Sequence, residues 1–460
     1  MRVNNINHSY RYDIQSLCLI FFPRESFKEG DTSDRELTVV LGEKAARATF
    51  ICKDKEITEE VSLTDFPLDR ERAAVKKAAY LALCKATGIH SPWGSLTGIR
   101  PAIFYQKVRD EFGSEADEVM KSLFSISDEK LSLCANVLEG RRVSVEKNTP
   151  DAASLYISIP FCPSRCSYCS FVSAITGRES HLIPDYVEKL IKEAITVSES
   201  VLNDGKQIKS IYVGGGTPSV LEPREMKKLL DAVQEYFLKK FLVEEFTFEA
   251  GRPDTITQEK LALLADGGVT RVSINPQTLS QQVLDAVGRK HTVKQFFDAY
   301  EWASKYSFDK NVDLIAGLPL DTEESFFASV DGIEDLHPEN ITLHTLYLKR
   351  AADFGAYGKA GEISENSDAG RINSMLSYMR DRAAVNGYRP YYPYRQKNTM
   401  GNGENIGYAL KGRECLYNVW MMDDIQQIYG IGAGAVTKIL EANGVRREGN
   451  QKLPLEYLKN

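Results

Sequence analysis

Between residues 155 and 346 the chain alternates β-like runs with helical stretches, and this pattern narrows the possible folds more than any other feature. The strand candidates are 155–159, 210–213, 245–248, 271–274, 311–315 and 340–346. Helical candidates fall near 184–201, 223–238, 257–265, 293–306 and 322–333. Strands separated by helices pair as βαβ units in a parallel sheet. Such repetition predicts an α/β fold, a partial (β/α)6 barrel, with the functional groups on loops that follow the carboxyl ends of the strands.

Directly after the first strand, Cys162, Cys166 and Cys169 stand in a C-x3-C-x2-C run that also holds Tyr156, Tyr168 and Phe171. Thiolates suit iron–sulfur clusters or zinc. Three thiolates leave one iron of a four-iron cluster without a protein ligand, and that iron is open to chemistry. A zinc site of three cysteines and a histidine is the other reading, with His181 the nearest histidine. Structural zinc usually takes paired cysteines at two separated places, and no second pair exists. Cys18, Cys52, Cys84, Cys134 and Cys415 are scattered and read as small buried apolar side chains.

The flanks differ from the central region. Residues 1–150 predict a separate α+β domain of unassigned role, with a hairpin around Gly42, a helix over 69–85 ending near Gly88, more helix over 115–138, and a linker over 140–151. Its Trp93-to-Pro101 stretch reads as a turn-rich loop that packs one tryptophan. Residues 151–348 form the barrel, and 349–460 a mostly helical region covering the substrate, with helices over 369–386 and 420–428. A net charge of −7 and the lack of a basic tract argue against nucleic acid as a partner. No apolar run approaches the ~18 residues of a membrane span, and Leu17–Phe22 is too short for an export signal, so a cytoplasmic location is expected.

Further marks follow the later strands. Gly214, Gly215 and Gly216 let backbone approach a ligand closely, although a glycine triplet can also be only a turn. Glu249 ends the third strand and points toward the mouth, or is a solvated loop acid. Gln277 lies just beyond the fourth strand. Arg289 precedes a helix, as a ligand contact or as an ordinary surface arginine. Asp313 sits among Val, Leu and Ile, where a carboxylate costs energy unless it is paired or bonded to a ligand.

The runs YISIPFCPSRCSYCSF, VGGGTP, FEAGRPD, RVSINPQ, VGRKH and VDLIAGLP resemble, in that order, the radical S-adenosylmethionine (SAM) family of oxygen-independent coproporphyrinogen III oxidases. WGSLTGIRP, HTLYLKR, YRQKN and NGENIGYA extend the likeness to its HemZ-like branch. The resemblance implies a 4Fe-4S cluster on Cys162, Cys166 and Cys169, with SAM on the open iron. It gives SAM-binding roles to Tyr156, Gly215, Gly216, Thr217, Glu249, Gln277, Arg289 and Asp313, and sets Tyr168 near the adenine. It implies oxidative decarboxylation of coproporphyrinogen III, a tetracarboxylate, with flavodoxin or ferredoxin as electron donor. Lys349, Arg350, Arg395 and Lys397, close to aromatic residues, are then the candidate contacts for the propionates. Two positions depart from the family pattern: Ser158 replaces a histidine and Phe171 a fourth cysteine. Related heme-trafficking proteins share the phenylalanine, so a heme chaperone on the same scaffold is the principal alternative, and radical heme breakdown a further one.

Overall fold

The structure, a computed structural model, describes residues 1–22, 25–27, 33–66, 69–98, 100–169, 173–347, 365–396, 399–441 and 444–459. They divide into two units, Met1–Glu139 with Ser364–Gly370 and Pro393–Glu404, and Gly140–Ile363 with Arg371–Tyr392 and Asn405–Asn460.

In the smaller unit, β1 (Arg2–Ile6), β2 (Arg35–Leu41), β3 (Ala45–Cys52) and β4 (Lys55–Ser62) form a sheet in that order. The expected hairpin joins β2 to β3, closed by Gly42 N–H donating to Ala45 O at 2.9 Å. The helix Arg70–Thr87 packs its alanine-rich face on the sheet and ends at Gly88, whose φ of 75° is one that glycine adopts without strain. Trp93 is buried, and its indole N–H donates to Glu404 at 2.8 Å. Gly94 beside it is obligatory: at φ 54° a Cβ would lie 1.9 Å from Phe124 O. The expected linker over 140–151 is instead mostly helix, because Asp128–Glu146 is continuous.

The larger unit contains all six expected parallel strands: β5 (Ala152–Ile159), then, after the two-residue pair β6 (Phe161–Cys162) and β7 (Ala174–Ile175), β8 (Gln207–Gly215), β9 (Glu245–Gly251), β10 (Arg271–Ile274), β11 (Asp309–Ala316) and β12 (Asn340–Thr345). The C-terminal region was expected to be mostly helical, yet it adds β13 (Arg389–Tyr394), β14 (Asn405–Ala409), β15 (Gln427–Ile431), β16 (Val436–Glu441) and β17 (Gly444–Gly449). The sheet runs β13-β14-β12-β11-β10-β9-β8-β5-β15-β16-β17. β15 lies parallel to β5, so a seventh parallel strand extends the partial barrel beyond its first strand. The helix expected over 420–428 is Leu416–Asp423, and the chain then turns into β15. The run Ile428-Tyr429-Gly430-Ile431 is β-branched and aromatic, which favours strand.

Alternation along the strands sets the two faces of the sheet. Leu155, Ile157, Ile211, Val213, Phe246 and Phe248 are buried on one face. The opposite, inner face carries Tyr156, Tyr212, Thr247 and Arg271, which are cross-strand neighbours. At the amino end of that face Arg271 is an ionic plug, 3.3 Å from Glu245 and 3.2 Å from Asp309.

Candidate active site

β6 and β7 pair with each other, so the short ribbon carries Cys162 at its end and brackets Cys166 and Cys169 in sequence. Cys162 and Cys166 are buried and Cys169 half-buried; none is in a disulfide. Inside the loop Cys169 N–H donates to Cys166 O at 3.1 Å.

The glycine loop after β8 grips this ribbon. Gly216 N–H donates to Ile159 O at 2.9 Å and Thr217 N–H to Phe161 O at 2.8 Å. A Cβ on Gly216 would meet Phe161 O at 2.5 Å, so this glycine serves the contact between the two loops. The close approach expected of this glycine toward a ligand is made, through this N–H, toward the chain's own backbone. The Thr217 hydroxyl donates to Cys162 Sγ at 3.5 Å. Gly215 N–H is bonded to the Glu249 carboxylate.

Burial pushes Glu249 up to about 8, with the charge of Asp313 adding to the effect and the Gly215 bond opposing it. Asp313 accepts from Asn311 Nδ2 at 2.9 Å and lies 3.7 Å from His344 Nε2. Gln277 holds a left-handed φ of 71°, costly for a residue with a Cβ, and is pinned by its N–H to Asp313 O at 3.0 Å. Its buried side-chain oxygen has no hydrogen-bond partner among the described residues, as befits a group that awaits a ligand. Arg289 is buried, not a surface arginine; it donates to the Tyr168 hydroxyl at 3.2 Å and to Asn275 O, and lies beside the Cys166 thiol. Among the residues expected to bind SAM, hydrogen bonds thus join Thr217 to Cys162, Gly215 to Glu249, Gln277 to Asp313 and Arg289 to Tyr168, and the charge of Asp313 acts on Glu249.

Tyr156 stacks on Tyr212 with ring centroids 6.2 Å apart, and Tyr212 on Tyr417 at 4.7 Å. Glu245 sets Tyr417 in place by accepting from Leu416 N–H at 3.1 Å and Tyr417 N–H at 3.2 Å. Trp420 is a core residue, its indole N–H donating to Ser144 O at 2.8 Å. Ser158 is a structural group: its hydroxyl donates to Ala433 O at 2.7 Å. That bond ties the first strand to residues 432–435, the glycine-bearing turn after β15. This loop escaped the sequence reading, although a glycine run following a β-like run signals it.

The expected substrate cations fare differently. Lys349, Arg350 and Lys397 lie outside the described residues, as does Phe171. Arg395 belongs to the smaller unit, 5% exposed, over the Trp93 ring at 4.9 Å and donating to Leu96 O and Asn402. It is a core cation there, which corrects its expected place among substrate contacts.

Among the described residues no three His, Cys, Asp or Glu side chains converge on one point as a single metal ion needs. A four-iron cluster instead spreads its thiolates over separate irons. A short loop of three thiols outside any disulfide, beside an unpaired buried amide and a buried arginine, fits such a cluster with a ligand of mixed charge.

The Radical SAM superfamily pattern matches residues 156–331. The oxygen-independent coproporphyrinogen-III oxidase-like protein HemZ of Bacillus subtilis (strain 168) is 36% identical over 386 residues, which cover 82% of this chain and 76% of that protein. The heme chaperone HemW of Lactococcus lactis subsp. lactis (strain IL1403) is 34% identical over 287 residues, 61% of this chain and 68% of its own. Coproporphyrinogen III oxidase (HemN) from Escherichia coli superposes with a TM-score of 0.53 at 22% identity, over 69% of this chain and 70% of that one, and so shares the fold. Fold and site therefore define a radical SAM protein with a 4Fe-4S cluster and SAM as cofactors. Within that superfamily, the chain belongs to the HemZ-like family of oxygen-independent coproporphyrinogen-III oxidase-like proteins. No helix among the described residues is long and apolar enough to cross a membrane.

Proposed function

We propose that this protein is an oxidoreductase that converts propionate side chains of coproporphyrinogen III to vinyl groups, giving protoporphyrinogen IX without oxygen. The observation that carries this reading is the reach of the HemZ match, 82% of the chain, against 61% for HemW. When bound and supplied with an electron by a flavodoxin- or ferredoxin-like donor, the cluster and SAM would supply a carbon radical able to take hydrogen from a propionate β-carbon, after which loss of CO2 and transfer of one electron to a separate one-electron acceptor would leave the vinyl group.

The chain's own residues have separable tasks. Cys162, Cys166 and Cys169 hold iron, and Thr217 bonds the first of these sulfurs. Arg289 presents a guanidinium that suits a carboxylate. Glu249 and Asp313 suit an ammonium and ribose hydroxyls, and the unpaired amide oxygen of Gln277 accepts a further hydroxyl. We assign the propionates to Lys349 and Arg350, which follow β12 closely in sequence. The phenols of Tyr156, Tyr212 and Tyr417 are held neutral by burial, which raises all three pKa values. They give the inner face a flat apolar surface without further charge.

The decisive assay is anaerobic and uses the reconstituted full chain with coproporphyrinogen III. 5′-Deoxyadenosine formed in step with substrate loss is the expected result. Stoichiometric heme transfer, with no substrate-dependent 5′-deoxyadenosine, would select the chaperone reading instead.

A further inference from the structure

The span between Cys162 and Cys166 has a side-chain anchor that stands apart from the groups assigned to SAM. Ser164 Oγ accepts a hydrogen bond of 2.6 Å from Arg252 Nη1. Arg252 is 3% exposed, and its other two guanidinium nitrogens are each engaged by Asp254. Nε meets Asp254 Oδ1 at 2.9 Å and Nη2 meets Asp254 Oδ2 at 2.6 Å, a two-pronged ion pair. The backbone fixes the same residue: Arg252 N–H donates to Ala250 O at 2.8 Å, and Arg252 O accepts from Thr255 N–H at 3.0 Å and from the Thr255 hydroxyl at 2.8 Å. A rigid fork is therefore aimed from the turn after β9, with its charge balanced on one side and its third prong on the cysteine loop. Charge balance explains Asp254 and leaves the Ser164 bond over, and that bond is the one that constrains the loop.

His291 lies near both Arg252 and Arg289. Burial, with Arg289 adding, pushes its pKa down to about 3, so the imidazole is neutral. The two arginines that touch the cysteine loop thus flank an uncharged ring, and Asp254 is the counter-charge that Arg252 uses.

We propose that Arg252, oriented by Asp254, is a positioning residue for the iron–sulfur cluster, which fixes the Cys162–Cys166 span through Ser164 so that both thiolates keep their spacing as the cluster is assembled and reduced. The inference rests on the three-cysteine cluster and requires no contact with SAM or substrate. Outer partners of metal ligands act in this way, by limiting the positions the ligands sample.

The test uses the full chain reconstituted anaerobically with iron and sulfide, comparing wild type with Ser164→Ala, Ser164→Thr and Arg252→Lys. Ser164→Ala removes the loop anchor and leaves the Arg252–Asp254 pair intact. It is expected to keep the melting temperature of the cluster-free protein, to lose iron to a chelator about tenfold faster, and to change the EPR spectrum of the reduced cluster. Ser164→Thr, which retains the hydroxyl, should restore both readouts. Arg252→Lys keeps the charge but cannot hold two oxygens of Asp254 and reach Ser164 together, so it should lose iron at least as fast. Wild-type rates of iron loss with an unaltered spectrum in Ser164→Ala and Arg252→Lys overturn the proposal, and so does iron loss that only tracks a lowered melting temperature. A wild-type chain that takes up no cluster overturns the cluster itself, which is a different result.

Discussion

Two buried arginines, one in each unit, show how surroundings decide what a cation does. Arg395 and Arg289 are 5% and 6% exposed. Arg395 lies over the face of Trp93 and donates to a backbone carbonyl and to Asn402, so it completes a core. Burial pulls its pKa down to about 10, with Glu404 partly offsetting. Arg289 instead reaches the Tyr168 hydroxyl beside the Cys166 thiol, on the loop that carries the cluster ligands. Both residues read as ligand contacts in the sequence, and one of the two is a packing element. Aromatic neighbours in the sequence therefore do not mark a substrate surface, since a guanidinium stacks equally well on a core ring.

The sharpest way to separate the two regions is to remove a cluster ligand. Cys166→Ala should abolish iron retention and SAM cleavage while the smaller unit keeps its fold, since Trp93 and Lys130 both bond Glu404 within that unit. Iron analysis and far-UV dichroism of the purified variant check this. Full turnover in Cys166→Ala would falsify the cluster assignment. The next effect comes from the same conservative change made in both places. Arg289→Lys loses the planar fork and should weaken SAM binding about tenfold with a small change in stability, read by calorimetric titration of the reconstituted protein. Arg395→Lys should leave SAM affinity alone and destabilise the protein by about 2 kcal/mol, because stacking on Trp93 and a buried acceptor bond are lost together. If Arg395→Lys weakened SAM binding instead, the contrast drawn between the two arginines would fail.

Legibility in the sequence followed the length scale of the physics. The six parallel strands were readable because each is a run of β-branched and apolar residues bounded by helical pattern; the segments after them carried the cysteines and Gln277, and the strands themselves Glu249 and Asp313. β15 was not readable as a partner of β5, because 274 positions separate Gly430 from its partner Tyr156 and pairing across such a distance leaves no local trace. The same holds for the bond from Ser158 to Ala433 and for Arg252 to Ser164. Gly216 was recognised as a close approach, but what it approaches is the backbone of Phe161, a fact of tertiary structure. Arg395 was misplaced because the chain passes back into the smaller unit at Pro393 with no change in composition to mark the crossing.

The finest distinction between the regions lies in their carboxylates. Glu404 faces Lys130 at 2.7 Å, whereas Glu249 shares its site with Asp313 and has one backbone N–H for support. In the cofactor-free protein the folded state holds the Glu249 proton up to about pH 8, while the unfolded chain releases it near 4.5. The folded state therefore binds more protons between those values, and stability falls as pH rises through that window. Glu249→Gln removes the titration and should flatten the dependence, so that the variant melts higher than wild type at pH 8 and the gap narrows toward pH 5. A bound ammonium or other cation beside the carboxylate lowers its pKa, so SAM binding at pH 7 should release a proton. Titrations in two buffers of different ionisation enthalpy should therefore give different apparent heats for wild type and equal heats for Glu249→Gln. Equal heats for wild type as well would mean that SAM leaves this carboxylate untouched, and the ammonium would then have to be placed on Asp313.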